Sequence, residues 1–199
     1  MAVSSREQVA FAVDPSVVFQ LGENLITDEV QALVELVKNA YDADASFCHI
    51  AIDTAPVADA DAHFPGAVGR IVVEDDGVGM NDSIIRNAWL KISASPKRDL
   101  KKAGKNTARG RTPLGDKGLG RLSTQRLADH IEIETRQPDS ESEVNVWYSW
   151  NDFRGAADLT AVKANRLLRP ASRRSGTLLT LWGLSTSPHK YDDVLRAFK

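Results

Sequence analysis

The order of strand-like and helix-like segments most strongly limits what this chain can fold into. Segments with alternating or β-branched residues are typical of strands and come mostly in runs, whereas helical patterns cluster in the first two thirds of the chain. This separation favours an α+β fold: a two-layer sandwich in which a mixed, mostly antiparallel sheet carries its helices on one face. The predicted strands are 46–53, 70–76, 130–136, 144–150 and 176–184. The last is almost wholly apolar, which indicates a central strand.

Helical periodicity predicts the layer that covers this sheet. A short pattern covers 16–23, and a stronger one begins near Thr27, which suits an N-cap, and ends near Asp42. The segment "DSIIRNAWLKI" follows the second predicted strand, and a further helical pattern covers 119–129.

Irregular segments separate these elements. The Ala-, Pro-, Gly- and Asp-rich stretch 54–69 predicts a loop or insertion. The stretch 93–118, called the lid below, has seven basic residues and one acidic residue between Lys97 and Arg111, and it predicts a mobile basic loop. The stretch 151–175 fits an edge strand and a weak helix equally well.

Composition limits the class of protein. A chain of 199 residues, 42% hydrophobic and 26% charged, suits one globular domain. A net charge of −2 gives no overall attraction to nucleic acid or an anionic membrane. The single cysteine, Cys48, excludes an internal disulfide framework, and no apolar run approaches the ~20 residues of a membrane span. We therefore expect a cytoplasmic protein with no membrane partner.

The helix that contains "ELVKNAYDADA" (35–45) has a polar stripe. At about 100° per residue, Gln31, Glu35, Asn39 and Asp42 lie within one narrow sector, opposite the apolar side. Asn39 is unfavourable inside a helix because its amide competes with the backbone. The stripe fits either a solvent-facing side or a site, and the helix alone does not decide between them.

The segment "EDDGVGM" (74–80) joins a buried strand to a turn with two glycines. Gly77 and Gly79 permit positive φ and let a flat ligand approach the backbone. Asp75, at the end of the strand, could accept a hydrogen bond from an exocyclic amine such as that of adenine. A tight turn with a solvated aspartate is the alternative.

The segment "GDKGLGRLS" (115–123) places a GxxGxG pattern directly before a helical pattern. The amides of 117–121 would point along the helix axis at an anion, aided by the helix dipole. Because this pattern does not follow a strand and lacks P-loop spacing, a dinucleotide fold and a P-loop are disfavoured. A flexible hinge is the alternative. Thr177, at the start of the last strand, could reach a purine edge directly or through a water.

Together and in this order, these motifs resemble the GHKL superfamily: gyrase, heat-shock chaperone ATPases, histidine kinases and MutL. The segments "ELVKNAYDADA", "DDGVGM" and "GDKGLGRLS" are similar to its N, G1 and G2 boxes. The combination with "SASPK" and "GTLLTLWGL" is most similar to the MORC and MutL-like branch. The resemblance covers about residues 16–185 and implies the Bergerat fold, in which ATP lies between the sheet and the lid.

The resemblance also implies roles for single residues. Glu35 would be the catalytic residue that orients or deprotonates the attacking water, and Asn39 would ligate Mg²⁺. Asp75 would bind the adenine amino group, with Gly79 and Thr177 supporting that end through water. Met80 would pack against the base. The implied nucleotide-binding set is Asn39, Asp42, Asp75, Gly77, Gly79, Met80, Lys97, Gly115, Lys117, Gly118, Leu119, Gly120, Arg121 and Thr177.

Some implied roles depart from the family pattern. Lys97 aligns with a lid lysine of the MutL-type "TSK" pattern, but Pro96 stands where that pattern has serine. Family members with a transducer domain supply a further lysine from it to the γ-phosphate.

We expect an ATP-binding domain at 1–185 and the start of a connection to a C-terminal region at 186–199, where 191–198 has a helical pattern. Hydrolysis by the domain alone is therefore expected to be weak.

Three further functions fit parts of the pattern. A histidine-kinase-type domain is disfavoured for two reasons. Such kinases usually have Asn at the position of Glu35. They also carry the phosphorylated histidine on a dimerisation helix upstream of the ATP-binding domain, whereas His49 and His63 lie inside the expected domain. A nucleotide-gated interaction module would use ATP to form a homodimer, with hydrolysis as a slow timer. Nucleic-acid binding through the basic lid is the third, although the basic stretch from Lys97 to Arg111 contains no aromatic residue for stacking.

Overall fold

A computed structural model describes residues 8–26, 28–93, 101, 103–115, 118, 120–184 and 191. Two helices come first, α1 (Ser16–Leu25) and α2 (Glu29–Asp42). The strands are β1 (Cys48–Val57), β2 (Val68–Asp75), β3 (Ala128–Arg136), β4 (Ser142–Ser149), β5 (Asn165–Pro170) and β6 (Gly176–Leu184). The short helices are α3 (Asp82–Ile84), which continues as a π-helix (Ile85–Trp89), α4 (Asn151–Arg154), and 3₁₀ turns at Gly120–Arg126 and Leu159–Ala161.

The six strands form one sheet in the order β1-β2-β6-β3-β4-β5, and every neighbouring pair is antiparallel. The predicted α+β class is confirmed. The apolar strand β6 lies inside the sheet between β2 and β3, as its composition predicts. In the ambiguous stretch 151–175 the structure has an edge strand, β5, and only short helical turns.

One face of the sheet packs against the helices. Alternate residues of the strands point into this layer, where α2 contributes its apolar side and a 3₁₀ turn fills the remaining space. The buried side chains include Leu33, Leu36, Ile71, Val73, Leu122, Ile131, Ile133, Leu179 and Leu181. Because the apolar side of α2 packs into the core, its polar stripe lies outside the core.

The opposite face of the sheet carries polar and aromatic side chains. The connection between β1 and β2 returns across it, and the ring of His63 stacks on Trp147 at 3.8 Å between centroids. Phe64 stacks on His130 at 4.4 Å. The predicted loop 54–69 is thus shorter than expected, because pairing between β1 and β2 extends to Val57 and Val68 around a bulge.

Two predicted helices differ in the structure. The helical pattern at 119–129 forms a 3₁₀ turn, and the chain is already a strand at Ala128. The hydroxyls of Ser123 and Thr124 donate to carbonyls three residues earlier, at 2.6 and 2.8 Å, and this competes with α-helical bonding. Helix α2 begins after Asp28, whose carboxylate accepts the Gln31 N–H at 2.8 Å, whereas the predicted cap, Thr27, lies outside the described residues.

Of the predicted helix 191–198, Tyr191 alone is described. Its side chain is buried, and its hydroxyl donates to the Leu127 carbonyl at 2.8 Å. Within the described ranges, no helix is both long and apolar enough to cross a membrane.

Candidate functional site

The glycine-rich segment before the 3₁₀ turn lies against the polar stripe of α2. A Cβ placed on Gly120 would lie 3.2 Å from Oε2 of Glu35 and 4.0 Å from Nδ2 of Asn39. A side chain at position 120 would therefore occupy the space between this backbone and the two polar side chains. The structure thus brings together three residues that the sequence places in two separate motifs.

The two oxygens of Glu35 face different groups. Its Oε1 forms an ion pair with Nζ of Lys38 at 2.7 Å, one turn later on α2. Its Oε2 is the oxygen closest to the Cβ position of Gly120. This geometry leaves Oε2 as the oxygen that can reach a ligand at the glycine-rich segment.

The turn after β2 docks on the C-terminal end of α2. The Val78 N–H donates to the Ala43 carbonyl at 2.8 Å. A Cβ on Gly77 would lie 2.6 Å from the same carbonyl oxygen, so a larger residue would push the turn away. The second predicted motif is therefore joined to the helix that carries the first.

Asp75 lies at the end of β2, directly across from Thr177 on β6. Its Oδ1 accepts the Gly77 N–H at 2.9 Å. Burial raises the pKa of Asp75, while backbone hydrogen bonds from Gly77 and Thr177 oppose this shift. The nearby charge of Asp76 raises the pKa further. A partly buried carboxylate with this environment gains from a hydrogen-bond donor on a ligand.

The turn that follows Asp75 is held against the end of β3. Gly79 has φ +60°, and a Cβ there would lie 2.0 Å from the Arg136 carbonyl oxygen, so only glycine fits. The Met80 N–H donates to Oγ1 of Thr135 at 2.8 Å. That hydroxyl also lies 3.1 Å from the hydroxyl of Thr177.

Sequence reasoning missed Thr135. Within the segment 130–136 it looked like an ordinary β-branched strand residue, yet it is 0% exposed and contacts two predicted site residues. The available signal was periodicity: Ile131 and Ile133 point into the core, so the next inward position, 135, carries a hydroxyl where an apolar side chain is expected.

The described part of the lid is attached to the C-terminal end of α2. Asp42 accepts the N–H groups of Leu114 and Gly115 at 2.8 and 3.0 Å. Its carboxylate therefore holds the start of the glycine-rich segment. This contact explains why a polar residue is needed in the last turn of the stripe.

Asp44, which sequence reasoning also missed, makes a second attachment. It has φ +59°, is 6% exposed, and accepts the Thr107 hydroxyl at 2.5 Å and the Arg109 N–H at 3.1 Å. Arg111 donates to the Tyr41 carbonyl at 3.0 Å, and its guanidinium lies 4.7 Å from the centre of the Tyr41 ring. The sequence contains only a weak signal for Asp44, because aspartate is common in the turn that follows a helix.

Arg121 joins the segment just before the lid to the last residue of the lid. Its buried guanidinium donates to the carbonyls of Gly118 at 2.9 Å and Lys91 at 2.6 Å. Burial lowers the pKa of Arg121. Because the guanidinium is engaged by these carbonyls, any contribution of Arg121 to anion binding falls to its backbone. Three other predicted site residues, Lys97, Lys117 and Leu119, lie outside the described residues.

Residues 27–177 match the family described as histidine kinase-, DNA gyrase B-, and HSP90-like ATPase. The chain belongs to this family. The match covers the stripe of α2, the turn after β2, the glycine-rich segment and the start of β6, and it confirms the superfamily predicted from these motifs. The MORC or MutL-like branch stays a prediction.

Individual relatives share this region at moderate identity. Chaperone protein HtpG of Rickettsia rickettsii (strain Sheila Smith) is 26% identical over 122 residues, covering 58% of this chain and 20% of that protein. HtpG of Rhizobium etli is 28% identical over 156 residues, covering 74% of this chain and 24% of the relative. A putative type II restriction enzyme, HgiDII of Herpetosiphon aurantiacus, is 26% identical over 178 residues, covering 88% and 26%.

The fold also matches a solved structure described as the N-terminal domain of a DNA repair protein. The TM-score is 0.52 at 19% identity, with 92% of this chain and 44% of the other covered. This likeness concerns the fold. The chain spans about a fifth to a quarter of the length of these curated relatives.

Proposed function

We propose that this chain is a module that binds ATP with Mg²⁺ and hydrolyses it slowly, driving a conformational change or dimerisation within a larger protein. The observation that carries the proposal is the approach of Gly120 to Glu35 and Asn39. It brings the carboxylate of Glu35 and the amide group of Asn39, both on α2, to a glycine-rich backbone, and phosphoryl transfer depends on groups that position and neutralise phosphate.

The base of ATP is assigned to the other end of the site. Asp75 would accept from the adenine amino group, Thr177 would assist it, and Met80 would pack against the ring. The docking of the Gly77–Gly79 turn on the end of α2 supports one continuous site, since the adenine and phosphate ends then share this helix.

Mg²⁺ is proposed to bind at Asn39. The ion prefers oxygen ligands and usually keeps several waters beside substrate phosphates. The amide of Asn39, beside Glu35 and Gly120, fits that donor chemistry. The described residues contain no group of three or more His, Cys, Asp or Glu side chains that could hold a metal ion. The ion is proposed to bind together with the triphosphate. Bound there, it would neutralise phosphate charge.

A homodimer formed when ATP binds is the proposed output. The segment 8–13 supports it, because Phe11 is fully exposed and Val9 largely so. Exposed apolar side chains of this kind offer a surface for a second copy of the chain. We expect the isolated domain to hydrolyse ATP slowly. We also expect the protein to be located in the cytoplasm.

The test is a titration with a fluorescent ATP analogue, with and without Mg²⁺, together with phosphate release. Glu35→Gln should leave the Kd within about twofold while hydrolysis falls by about a hundredfold to ten-thousandfold, because the carboxylate acts on water and not on the nucleotide. Glu29→Gln, in the first turn of α2, is the matched control and should hydrolyse ATP at the wild-type rate. Absence of saturable ATP binding would refute the proposal.

Dimerisation is measured separately by light scattering with a non-hydrolysable ATP analogue. The mass should double with the analogue and Mg²⁺, and Glu35→Ala should stay dimeric after ATP is added. A mass that stays monomeric under both conditions would contradict the proposed output and leave ATP binding intact.

DNA binding is a second candidate, favoured by the similarity to a putative restriction enzyme over most of this chain. The basic lid is the surface proposed for it. Binding to duplex DNA should weaken steeply as salt rises, because each phosphate contact releases counterions. Anisotropy that stays flat across a DNA titration at low salt would exclude this role for the domain.

A further inference from the structure

Thr135 is a buried hydroxyl shared by three groups at the proposed adenine end. It lies on β3 directly across from Thr177 on β6, and Thr177 in turn lies across from Asp75 on β2. Its Oγ1 accepts the Met80 N–H at 2.8 Å, donates to the Gly176 carbonyl at 3.1 Å, and lies 3.1 Å from Oγ1 of Thr177. Thr135, Thr177 and Asp75 thus form a row across three neighbouring strands.

The single proton of Thr135 determines the direction of this network. A hydroxyl has one proton to donate and two lone pairs that accept. The Met80 N–H occupies one lone pair, and the proton is used on the Gly176 carbonyl. The remaining contact, with Thr177, is a hydrogen bond only if the Thr177 hydroxyl donates to Thr135.

Once Thr177 has donated its proton to Thr135, only its lone pairs remain for a ligand. The ionised carboxylate of Asp75 is likewise an acceptor only. Two neighbouring acceptors favour a ligand that brings hydrogen-bond donors. Adenine carries an amine where guanine carries a carbonyl oxygen, and that oxygen would face acceptors without a proton between them.

We propose that Thr135 is a positioning residue that makes this site selective for adenine over guanine, by holding the Thr177 hydroxyl in the accepting orientation. The inference rests on the proposed ATP-binding function. Without the Thr135 hydroxyl, Thr177 would be free to turn its proton towards the ligand and accommodate a guanine carbonyl.

The experiment compares competition by ATP and GTP against a fluorescent ATP analogue. Thr135→Val, which keeps the side-chain shape, should weaken ATP binding and reduce the preference for ATP over GTP by about tenfold. Thr135→Ser keeps the hydroxyl and should restore the preference. Thr180→Val on β6, at a position facing the other side of the sheet, is the matched control and should retain the wild-type preference.

A double variant tests whether Thr135 acts through Thr177. Thr177→Val should lower the preference by itself, and adding Thr135→Val should then change it little, because the group being oriented is gone. A wild-type preference in Thr135→Val, or an equal further loss in the Thr177→Val background, would overturn the inference. If the wild-type protein bound no ATP, the proposed function would fail instead, so the two failures are distinguishable.

Discussion

At the scale of single residues, the neighbouring carboxylates Asp75 and Asp76 have opposite environments. Burial raises the pKa of Asp75. Asp76 accepts hydrogen bonds from the Ser46 hydroxyl and from the N–H groups of Ser46 and Phe47, which lower its pKa. The first carboxylate is thus costly to keep ionised in the fold, and the second stabilises the loop before β1. This contrast supports the proposed ligand role of Asp75, and the hydrogen bonds of Asp76 give it a structural role.

Replacing each carboxylate by its amide separates these roles. Asp75→Asn should weaken ATP binding by at least about tenfold, because an acceptor becomes a donor facing the adenine amine, while the Tm does not fall. Asp76→Asn should lower the Tm and leave ATP affinity unchanged. Calorimetry and nucleotide titration measure both quantities. Unchanged ATP affinity in Asp75→Asn would remove the adenine assignment.

At the scale of elements, helix α2 connects the proposed catalytic residues to the lid. Glu35 and Asn39 lie in its middle turns, and its C-terminal end holds the lid through Asp42 and Asp44. Asp44 is buried, and its pKa is lowered because hydrogen bonds from Thr107 and Arg109 and the charges of the lid arginines outweigh the effect of burial. One helix and the turn that follows it therefore carry both the proposed phosphate-end residues and the attachment of the lid.

The lid attachment is tested by trypsin cleavage after Arg109 and Arg111. Asp44→Gly keeps the positive φ and removes the carboxylate, so lid cleavage should accelerate by about tenfold. Asp139→Gly is the matched control, since Asp139 also has positive φ but lies exposed in the turn between β3 and β4. Equal cleavage rates in the two variants would show that Asp44 does not hold the lid.

At the scale of the whole molecule, a partly buried ionic network joins three strands on the face away from the helices. Glu143 on β4 is 0% exposed and accepts from Arg169 on β5 at 2.5 Å, and Arg169 also pairs with Glu134 on β3. Ser172 donates to Glu143 through its N–H and its hydroxyl. Burial alone would raise the pKa of Glu143, but these hydrogen bonds and the Arg169 charge lower it to about 2.

This network makes stability depend on acid pH. The folded pKa of Glu143 lies below its ordinary value of 4.5, so its stabilisation is present above pH 4.5 and is lost as the pH falls towards 2. The loss is on the order of 3 kcal/mol. Urea unfolding should show a smaller decline over this window in Glu143→Gln than in wild type. Glu141→Gln, an exposed neighbour, should follow the wild-type curve, and equal curves for all three proteins would contradict the assignment.

The fold class and much of the candidate site could be predicted from local sequence. Strand and helix periods define which side of each element is apolar, and the spacing of glycines and carboxylates places the turns. The polar stripe of α2, the Asp75 turn and the apolar strand β6 follow from residues that are neighbours in the chain. The prediction of a helix at 119–129 was wrong for a reason that is also local, because the hydroxyls of Ser123 and Thr124 donate to nearby backbone carbonyls.

The sequence by itself thus determined the α+β class through the periodicity of its segments. It also determined the order of the motifs, and their resemblance to a known superfamily indicated the family. Only the tertiary structure identified Thr135 and Asp44 and gave the guanidinium of Arg121 its role. Their partners are 41, 63 and 30 residues away along the chain, at Gly176, Thr107 and Lys91. A polar side chain carries no local mark of a distant partner, and its hydrogen bonds exist only once the sheet and the lid bring the two together.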